Sequence, residues 1–275
     1  MERLKQAVEL ARQKREIFKD QSENTINLNS KLPLNAPKSS GKEIITYTHT
    51  KRITVPKKVL QQKRLISKVL DPAVVASYKL LRTQVLRRMK DNHWNTLAIT
   101  SPGTGEGKTL TSVNLAISLA REVNHTVLLV DLDLRRPSVS SCFGYAPEYG
   151  LNDYLEYNIS LSEILINPEI ERLVILPGRE ATFNSSELLS SPKMVELVDE
   201  LKTRYPTRIV IFDMPPMLIA DDVLVFTPYV DAFLLVIEEG KTKENELLRS
   251  VDLLKQSNVI GTVLNKSTEV MSNYY

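Results

Sequence analysis

Cysteine is almost absent from the 275-residue sequence, in which Cys142 is the single copy. One cysteine excludes an internal disulfide framework and a zinc site made of several thiolates, so we expect Cys142 to be a small, half-buried side chain. Nine glycines beside fourteen prolines exclude collagen-like and Gly/Pro-rich low-complexity chains. No apolar run reaches the roughly 18 residues that a membrane-spanning helix needs. The composition is that of a globular protein.

The N-terminal region is basic and has no apolar signal-peptide core, so we expect a cytoplasmic chain. Residues 1–68 carry 16 Lys and Arg against 6 Asp and Glu, a net charge of +10, and the remainder carries 20 against 27, a net charge of −7. Such an arm suits an anionic membrane surface, nucleic acid or an acidic partner, or is a solvated tail. Aromatic residues do not interleave with the basic ones, which argues against nucleic acid.

Two segments make up this arm. Residues 1–20 repeat apolar side chains at helical spacing and predict an amphipathic helix. Residues 21–58 are rich in Ser, Asn, Thr, Pro and Lys without a sustained period, which predicts a disordered tether. We therefore expect a basic helix and tether over residues 1–68 and the main domain, with a C-terminal tyrosine tail, over residues 69–275.

The main domain is predicted to begin with a helix. Asp71 is a good N-cap and Pro72 suits the first helical turn. The apolar face of this helix comprises Val75, Tyr78, Leu81, Val85 and Met89.

From Trp94 onward, apolar runs alternate with helical patterns. The runs are NTLAITS, TVLLVDLDL, RLVILP, RIVIFDMPP, AFLLVIEEG and VIGTVLNK, and the helical stretches are 108–122, 191–204 and 243–256. Continuous Val/Ile/Leu runs are typical of strands buried on both faces. The alternation predicts an α/β fold, a three-layer sandwich around a mostly parallel, doubly wound sheet. Ligands of such sheets bind beyond the carboxyl ends of the strands.

A glycine-rich turn follows the first of these runs. Residues 101–109 read Ser-Pro-Gly-Thr-Gly-Glu-Gly-Lys-Thr and lead into a helical pattern. In such a turn backbone amides converge on phosphate oxygens, Lys108 reaches the β- and γ-phosphates and the Thr109 hydroxyl ligates Mg²⁺. Pro102 stands where the strict pattern has glycine, yet strand, loop, Lys-Thr and helix follow the order of a P-loop NTPase. The predicted nucleotide-binding residues are Gly103, Thr104, Gly105, Glu106, Gly107, Lys108, Thr109 and Leu110.

Three carboxylates end two further strands. Asp131 and Asp133 are one residue apart, so they project to the same side and face the same crevice. Buried carboxylates repel each other unless a cation compensates them. Asp213 ends another run and looks like the acid that holds the Mg²⁺ shell in a P-loop NTPase. With the loop, these acids predict a site for Mg²⁺ and a nucleoside triphosphate.

These motifs resemble those of a known family. GTGEGKT, VLLVDLDLRRP and VIFDMPP are similar to the Walker A, Walker A′ and Walker B motifs of bacterial tyrosine kinases. Those enzymes are the cytoplasmic kinases of capsule and exopolysaccharide export, within the deviant-Walker ATPase superfamily that includes septum-placement and plasmid-partition ATPases. The resemblance covers residues 71–266 and implies ATP and Mg²⁺ as cofactors.

The resemblance also implies roles for individual residues. Asp131 is the candidate base toward a tyrosine hydroxyl, and Asp133 assists at the metal. Arg135 neutralises charge on the phosphoryl group or the acceptor, and Asn265 in the last strand reads the adenine edge. The implied catalytic residues are Lys108, Asp131, Asp133 and Arg135, and the implied metal ligands are Thr109, Asp131 and Asp213.

The acceptor and the partners follow from the same resemblance. The family's acceptor is a C-terminal tyrosine cluster, and this chain ends in Tyr274 and Tyr275. Tyrosines in the segment after Asp133 are the next candidates: Tyr145, Tyr149, Tyr154 and Tyr157. The implied partners are a second copy of the chain and the cytoplasmic segment of a membrane polysaccharide co-polymerase, or chain-length regulator, which would recruit the chain to the inner face of the plasma membrane. The family's ring-forming pattern E-x-x-R-x-x-R reads Ala-Ser-Tyr-Lys-Leu-Leu-Arg here, over residues 76–82.

The leading hypothesis is an ATP/Mg²⁺-dependent tyrosine autokinase that regulates exopolysaccharide synthesis or export. One alternative is an ATPase switch of the partition or septum-placement kind. Against it, the phosphate loop has no lysine near its start, where such ATPases place one that crosses the dimer interface. Another alternative is a non-catalytic, nucleotide-binding scaffold of the polysaccharide machinery.

Overall fold

The computed structural model describes residues 50–67, 70–205 and 207–267. These residues form one sheet of eight strands flanked by helices. The strands are β1 (Lys51–Arg52), β2 (Thr96–Thr100), β3 (Thr126–Asp131), β4 (Ile166–Asn167), β5 (Leu173–Leu176), β6 (Arg208–Asp213), β7 (Ala232–Glu238) and β8 (Val259–Asn265). The helices are α1 (Lys57–Gln62), α2 (Pro72–Asp91), α3 (Lys108–Ala120), α4 (Val139–Cys142), α5 (Leu151–Tyr157), α6 (Leu161–Ile164), α7 (Ser185–Leu189), α8 (Pro192–Thr203), α9 (Asp222–Phe226) and α10 (Glu244–Leu253), with a 3₁₀ turn at Thr227–Tyr229.

The sheet has the strand order β1-β4-β5-β3-β6-β2-β7-β8, and every neighbouring pair is parallel except β4 with β5. One hydrophobic cluster packs α2 and α3 against one face, and a second packs α8 and α9 against the other. The predicted α/β sandwich is confirmed. All six apolar runs are strands, and the three helical stretches are α3, α8 and α10.

Helix α2 begins where the sequence predicts. The Asp71 side chain accepts a hydrogen bond from the Ala73 amide at 2.8 Å and so caps the helix. Val85 and Met89 are buried in the core. The remaining three residues of the predicted apolar face pack against the same cluster.

The segment before α2 differs from the prediction. Residues 50–58 belong to the predicted tether, but β1 pairs with β4, and Ile53 lies in the core. Leu65 and Ile66, inside the predicted arm, are also buried, and the Asn114 side chain accepts from the Ile66 amide at 2.8 Å. The tether interpretation is therefore corrected for residues 50–67, because scattered apolar side chains without a period still fill gaps beside the sheet. The helix predicted over residues 1–20 lies outside the described residues.

Candidate active site

The phosphate loop connects the end of β2 to the start of α3. Gly105 and Gly107 have positive φ angles of 74° and 94°, a backbone region that favours glycine. A Cβ atom on Gly107 would lie 1.9 Å from Nδ2 of Asn265, so only glycine fits there. The first amides of α3 have no partner within the helix, as at any helix N-terminus. Loop and helix together form an anion-binding turn.

Lys108 opens α3 and points its ammonium group at two carboxylates. Its Nζ lies 2.7 Å from Oδ2 of Asp133 and 3.9 Å from Oδ2 of Asp213. Burial opposes the charge of Lys108, but the attraction of Asp213 and then Asp133 outweighs it and raises the pKa of the ammonium group. The lysine is therefore a fixed positive charge at the base of the loop.

Asp213 ends β6 and is fully buried beneath α3. The Thr109 hydroxyl donates to its Oδ2 at 2.7 Å, and the Ser112 hydroxyl donates to its Oδ1 at 2.9 Å. Sequence reasoning missed Ser112. Its spacing could have revealed it, because it lies one turn after Lys108 on the same helix face.

Asp131 ends β3 directly opposite Asp213 in the β3–β6 register. Its Oδ2 accepts from the amides of Ser138 and Val139 at 2.8 and 2.9 Å. Its Oδ1 is buried and, within the described part of the chain, has no hydrogen-bond partner. Burial and then the charge of Asp213 raise the pKa of Asp131 to about 7. An unsatisfied buried oxygen among carboxylates and a hydroxyl fits a hard divalent cation, which takes oxygen ligands.

Comparison with known proteins decides the family. Residues 97–273 match the CobQ/CobB/MinD/ParA nucleotide binding domain. The chain is 33% identical to the tyrosine-protein kinase YwqD of Bacillus subtilis over 190 residues, which are 68% of this chain and 79% of YwqD. It is 30% identical to the tyrosine-protein kinase CpsD of Streptococcus agalactiae over 200 residues, 72% of this chain and 84% of CpsD. The chain belongs to the bacterial tyrosine-protein kinases.

A solved structure agrees with this assignment. The kinase domain of the Escherichia coli tyrosine kinase ETK superposes with a TM-score of 0.67 at 28% identity, covering 82% of this chain and 91% of that domain. The resemblance drawn from the three Walker-like motifs is therefore confirmed, as is the P-loop fold class.

In this kinase Arg135 is held by helix α9. Its Nε lies 2.9 Å from Oδ2 of Asp222, which is fully buried, and its Nη2 lies 3.2 Å from Oδ1 of Asp221. The guanidinium is thus anchored beside the strand that ends in Asp131, with part of its surface exposed. No sequence signal linked Arg135 to these two aspartates, which follow it by more than 80 residues.

Asn265 reaches the kinase's phosphate loop from the end of β8. Its Nδ2 donates to the backbone oxygen of Glu106 at 2.8 Å. The Glu106 carboxylate is buried, accepting from the Gly103 amide at 3.0 Å and from the Thr242 hydroxyl at 2.5 Å. The structure therefore brings Asn265 to the loop backbone, beside the predicted nucleotide site. Tyr274 and Tyr275, the predicted acceptors, lie outside the described residues.

Proposed function

We propose that this chain is an ATP- and Mg²⁺-dependent protein-tyrosine autokinase that regulates exopolysaccharide synthesis or export. The observation that carries the proposal is the convergence of Lys108, Asp131, Asp133 and Asp213 at the carboxyl ends of neighbouring strands, around one phosphate loop. Phosphoryl transfer needs mainly positioning and charge neutralisation, and this set supplies both. Membership of the bacterial tyrosine-protein kinases supports the same reaction.

The loop amides and Lys108 would hold the phosphates of ATP. Thr109 and Asp213 would hold Mg²⁺ directly, and Asp131 would hold it through a water molecule, so that Oδ1 of Asp131 stays free for a proton; the metal supplies charge neutralisation on phosphate oxygens. A hydroxyl and two carboxylates suit Mg²⁺, which uses one or two carboxylates together with substrate phosphates and water.

Asp131 is proposed as the base that accepts the tyrosine proton. A tyrosine hydroxyl has a pKa of about 10, so a carboxylate must take its proton as the new bond forms. The unpartnered Oδ1 of Asp131 is an acceptor for that proton, while the two amides on Oδ2 fix the carboxylate's orientation. Asp133, which is paired with Lys108, would assist at the metal, and Arg135 would neutralise charge on the phosphoryl group or the acceptor.

The proposed acceptors are Tyr274 and Tyr275 of a second copy. The last described residue, Ser267, follows Lys266, whose ammonium group donates to the backbone oxygen of Gly105, so the segment that carries the two tyrosines begins beside the phosphate loop. Each phosphate adds a charge of roughly −1.5 to −2, and the buried carboxylates would repel the product.

The proposed location is the cytoplasmic face of the plasma membrane. Among the described residues, no helix is both long and apolar enough to cross a bilayer. The family resemblance supports recruitment by the cytoplasmic segment of a membrane polysaccharide co-polymerase. The net charge of +10 on residues 1–68 would add attraction to an anionic leaflet.

The proposal is tested by incubating the full chain with ATP and Mg²⁺ and searching for phosphotyrosine by mass spectrometry. We expect phosphotyrosine in the wild type and in Lys255→Met, a control that removes an exposed lysine paired with Asp252 on the surface. We expect none in Lys108→Met. Release of inorganic phosphate without phosphotyrosine would overturn the kinase in favour of the ATPase switch. If neither phosphotyrosine nor inorganic phosphate forms, the non-catalytic scaffold is supported instead.

A further inference from the structure

Three side chains from the end of the sheet bind the outer side of the phosphate loop. Each donates a hydrogen bond to one of three consecutive backbone oxygens. The bonds are Lys241 Nζ to Thr104 O, Lys266 Nζ to Gly105 O and Asn265 Nδ2 to Glu106 O, each at 2.8 Å. The predicted role of Asn265 as a base reader does not account for this row of contacts, and no motif in the sequence indicated the two lysines.

The direction of these bonds determines where the loop amides point. In a trans peptide unit the carbonyl oxygen and the amide hydrogen lie on opposite sides. A carbonyl oxygen held outward therefore turns the next residue's amide inward. The three bonded oxygens correspond to the amides of Gly105, Glu106 and Gly107, which belong to the turn proposed to bind phosphate.

One carboxylate orients both lysines. This acid is Glu238, whose Oε2 lies 3.2 Å from Lys241 Nζ and 2.9 Å from Lys266 Nζ. Lys266 also adopts a φ of 57°, a left-handed conformation that is uncommon for lysine. Backbone strain of this kind persists where surrounding contacts determine it. Lys241 Nζ lies so close to Gly105 that a Cβ there would approach it to 3.3 Å.

We infer that Lys241 and Lys266 are positioning residues that hold the phosphate loop in its anion-binding conformation before ATP arrives. The inference rests on the proposed function, in which this loop binds ATP. A loop that is already ordered loses less conformational freedom on binding, so its affinity is higher. The competing explanation is that the two lysines act only as charges that attract an anion from a distance.

The first test measures ATP affinity by calorimetry. We expect the double variant Lys241→Met/Lys266→Met to bind ATP on the order of 10-fold more weakly, which corresponds to about 1.4 kcal/mol. Its melting temperature should stay that of the wild type. The double variant Lys241→Arg/Lys266→Arg should restore most of the affinity, and Lys255→Met is the matched control for an exposed lysine. Affinity equal to the wild type in the double methionine variant would overturn the inference.

The second test separates positioning from charge. Glu238→Gln removes a negative charge near the loop, so attraction at a distance predicts tighter ATP binding. Positioning predicts weaker binding, because the neutral amide of glutamine orients the two ammonium groups less firmly than the carboxylate does. Hydrogen exchange in the protein without nucleotide adds a readout independent of activity. We expect faster exchange over residues 101–110 in Glu238→Gln and in the double methionine variant.

These outcomes distinguish the two claims. Tighter ATP binding by Glu238→Gln, or exchange over 101–110 that matches the wild type in both variants, overturns the positioning role and leaves the kinase proposal intact. A wild-type chain that does not bind ATP overturns the proposed function itself, and the inference with it.

Discussion

The ammonium nitrogen of Lys108 lies 2.7 Å from a carboxylate oxygen of Asp133, and both side chains are almost completely buried. Taking both charges out of water is costly, and their mutual attraction offsets that cost only in good geometry. A phosphate that approaches Lys108 must therefore compete with Asp133 for the same ammonium group. The loop has its anion-binding charge in place but partly neutralised.

We predict that Asp133→Asn binds ATP a few-fold more tightly when divalent metal is removed by a chelator, since the competing negative charge is gone. Calorimetry measures this directly. Asp252→Asn is the matched control, because it removes an exposed carboxylate paired with a surface lysine. Weaker binding by Asp133→Asn would mean that Asp133 orients Lys108 for phosphate and does not compete with it.

Asp131 should make the metal-free protein less stable as the pH rises. Its pKa is about 7 against an ordinary value of 3.8, so the folded state holds the proton more tightly than the unfolded chain. The stabilisation that this bound proton gives to the folded state is complete below about pH 4 and is lost as the pH rises through 7. Asp131→Asn keeps an oxygen acceptor for the two amides and does not titrate.

We expect the melting temperature of Asp131→Asn minus that of the wild type to increase between pH 4.5 and pH 8, because the wild type loses stability over this range. The exposed variant Asp199→Asn should show no such trend. Calorimetry in the presence of a chelator measures both series. A constant difference between Asp131→Asn and wild type across this range would show that Asp131 is ionised throughout.

Residues 50–67 should contribute to the stability of the core. Ile66 is 4% exposed and is anchored to helix α3 through Asn114. We predict that Ile66→Ala lowers the free energy of unfolding by about 2–4 kcal/mol, because it removes buried methyl groups and leaves a cavity. Leu80→Ala, at a position 51% exposed, should cost far less. Equal losses in denaturant titrations would place Ile66 outside the cooperative core.

The sheet could be predicted because its central strands are continuous apolar runs, and their order along the chain leaves few topologies. Strands β1 and β4 have two residues each and carry no period, so no pattern marked them. Asp131, Asp133, Asp213 and Lys108 were found because strand ends and the glycine turn mark them in sequence. Contacts between distant segments left no such mark.

The ion pair of Arg135 with Asp222 illustrates that limit. The motif resemblance marks Arg135 but not Asp222, and only the return of the chain to the same edge of the sheet brings the two together. The same holds for Lys241 and Thr104, which are joined by one hydrogen bond across 137 positions. Local periodicity and motif spacing report short distances along the chain, whereas these contacts depend on the assembled sheet.

The most direct test of the central claim is a mixing experiment with two variants. One variant, Tyr274→Phe/Tyr275→Phe, keeps the site and loses the proposed acceptors, and the other, Lys108→Met, keeps the tail and loses the phosphate-binding lysine. Neither should become tyrosine-phosphorylated on the tail when incubated alone with ATP and Mg²⁺. Mixed, they should yield phosphotyrosine at Tyr274 or Tyr275 of Lys108→Met, increasingly so at higher protein concentration. Tail phosphorylation that is absent from the mixture, or phosphotyrosine found only at another tyrosine such as the exposed Tyr157, would contradict the account.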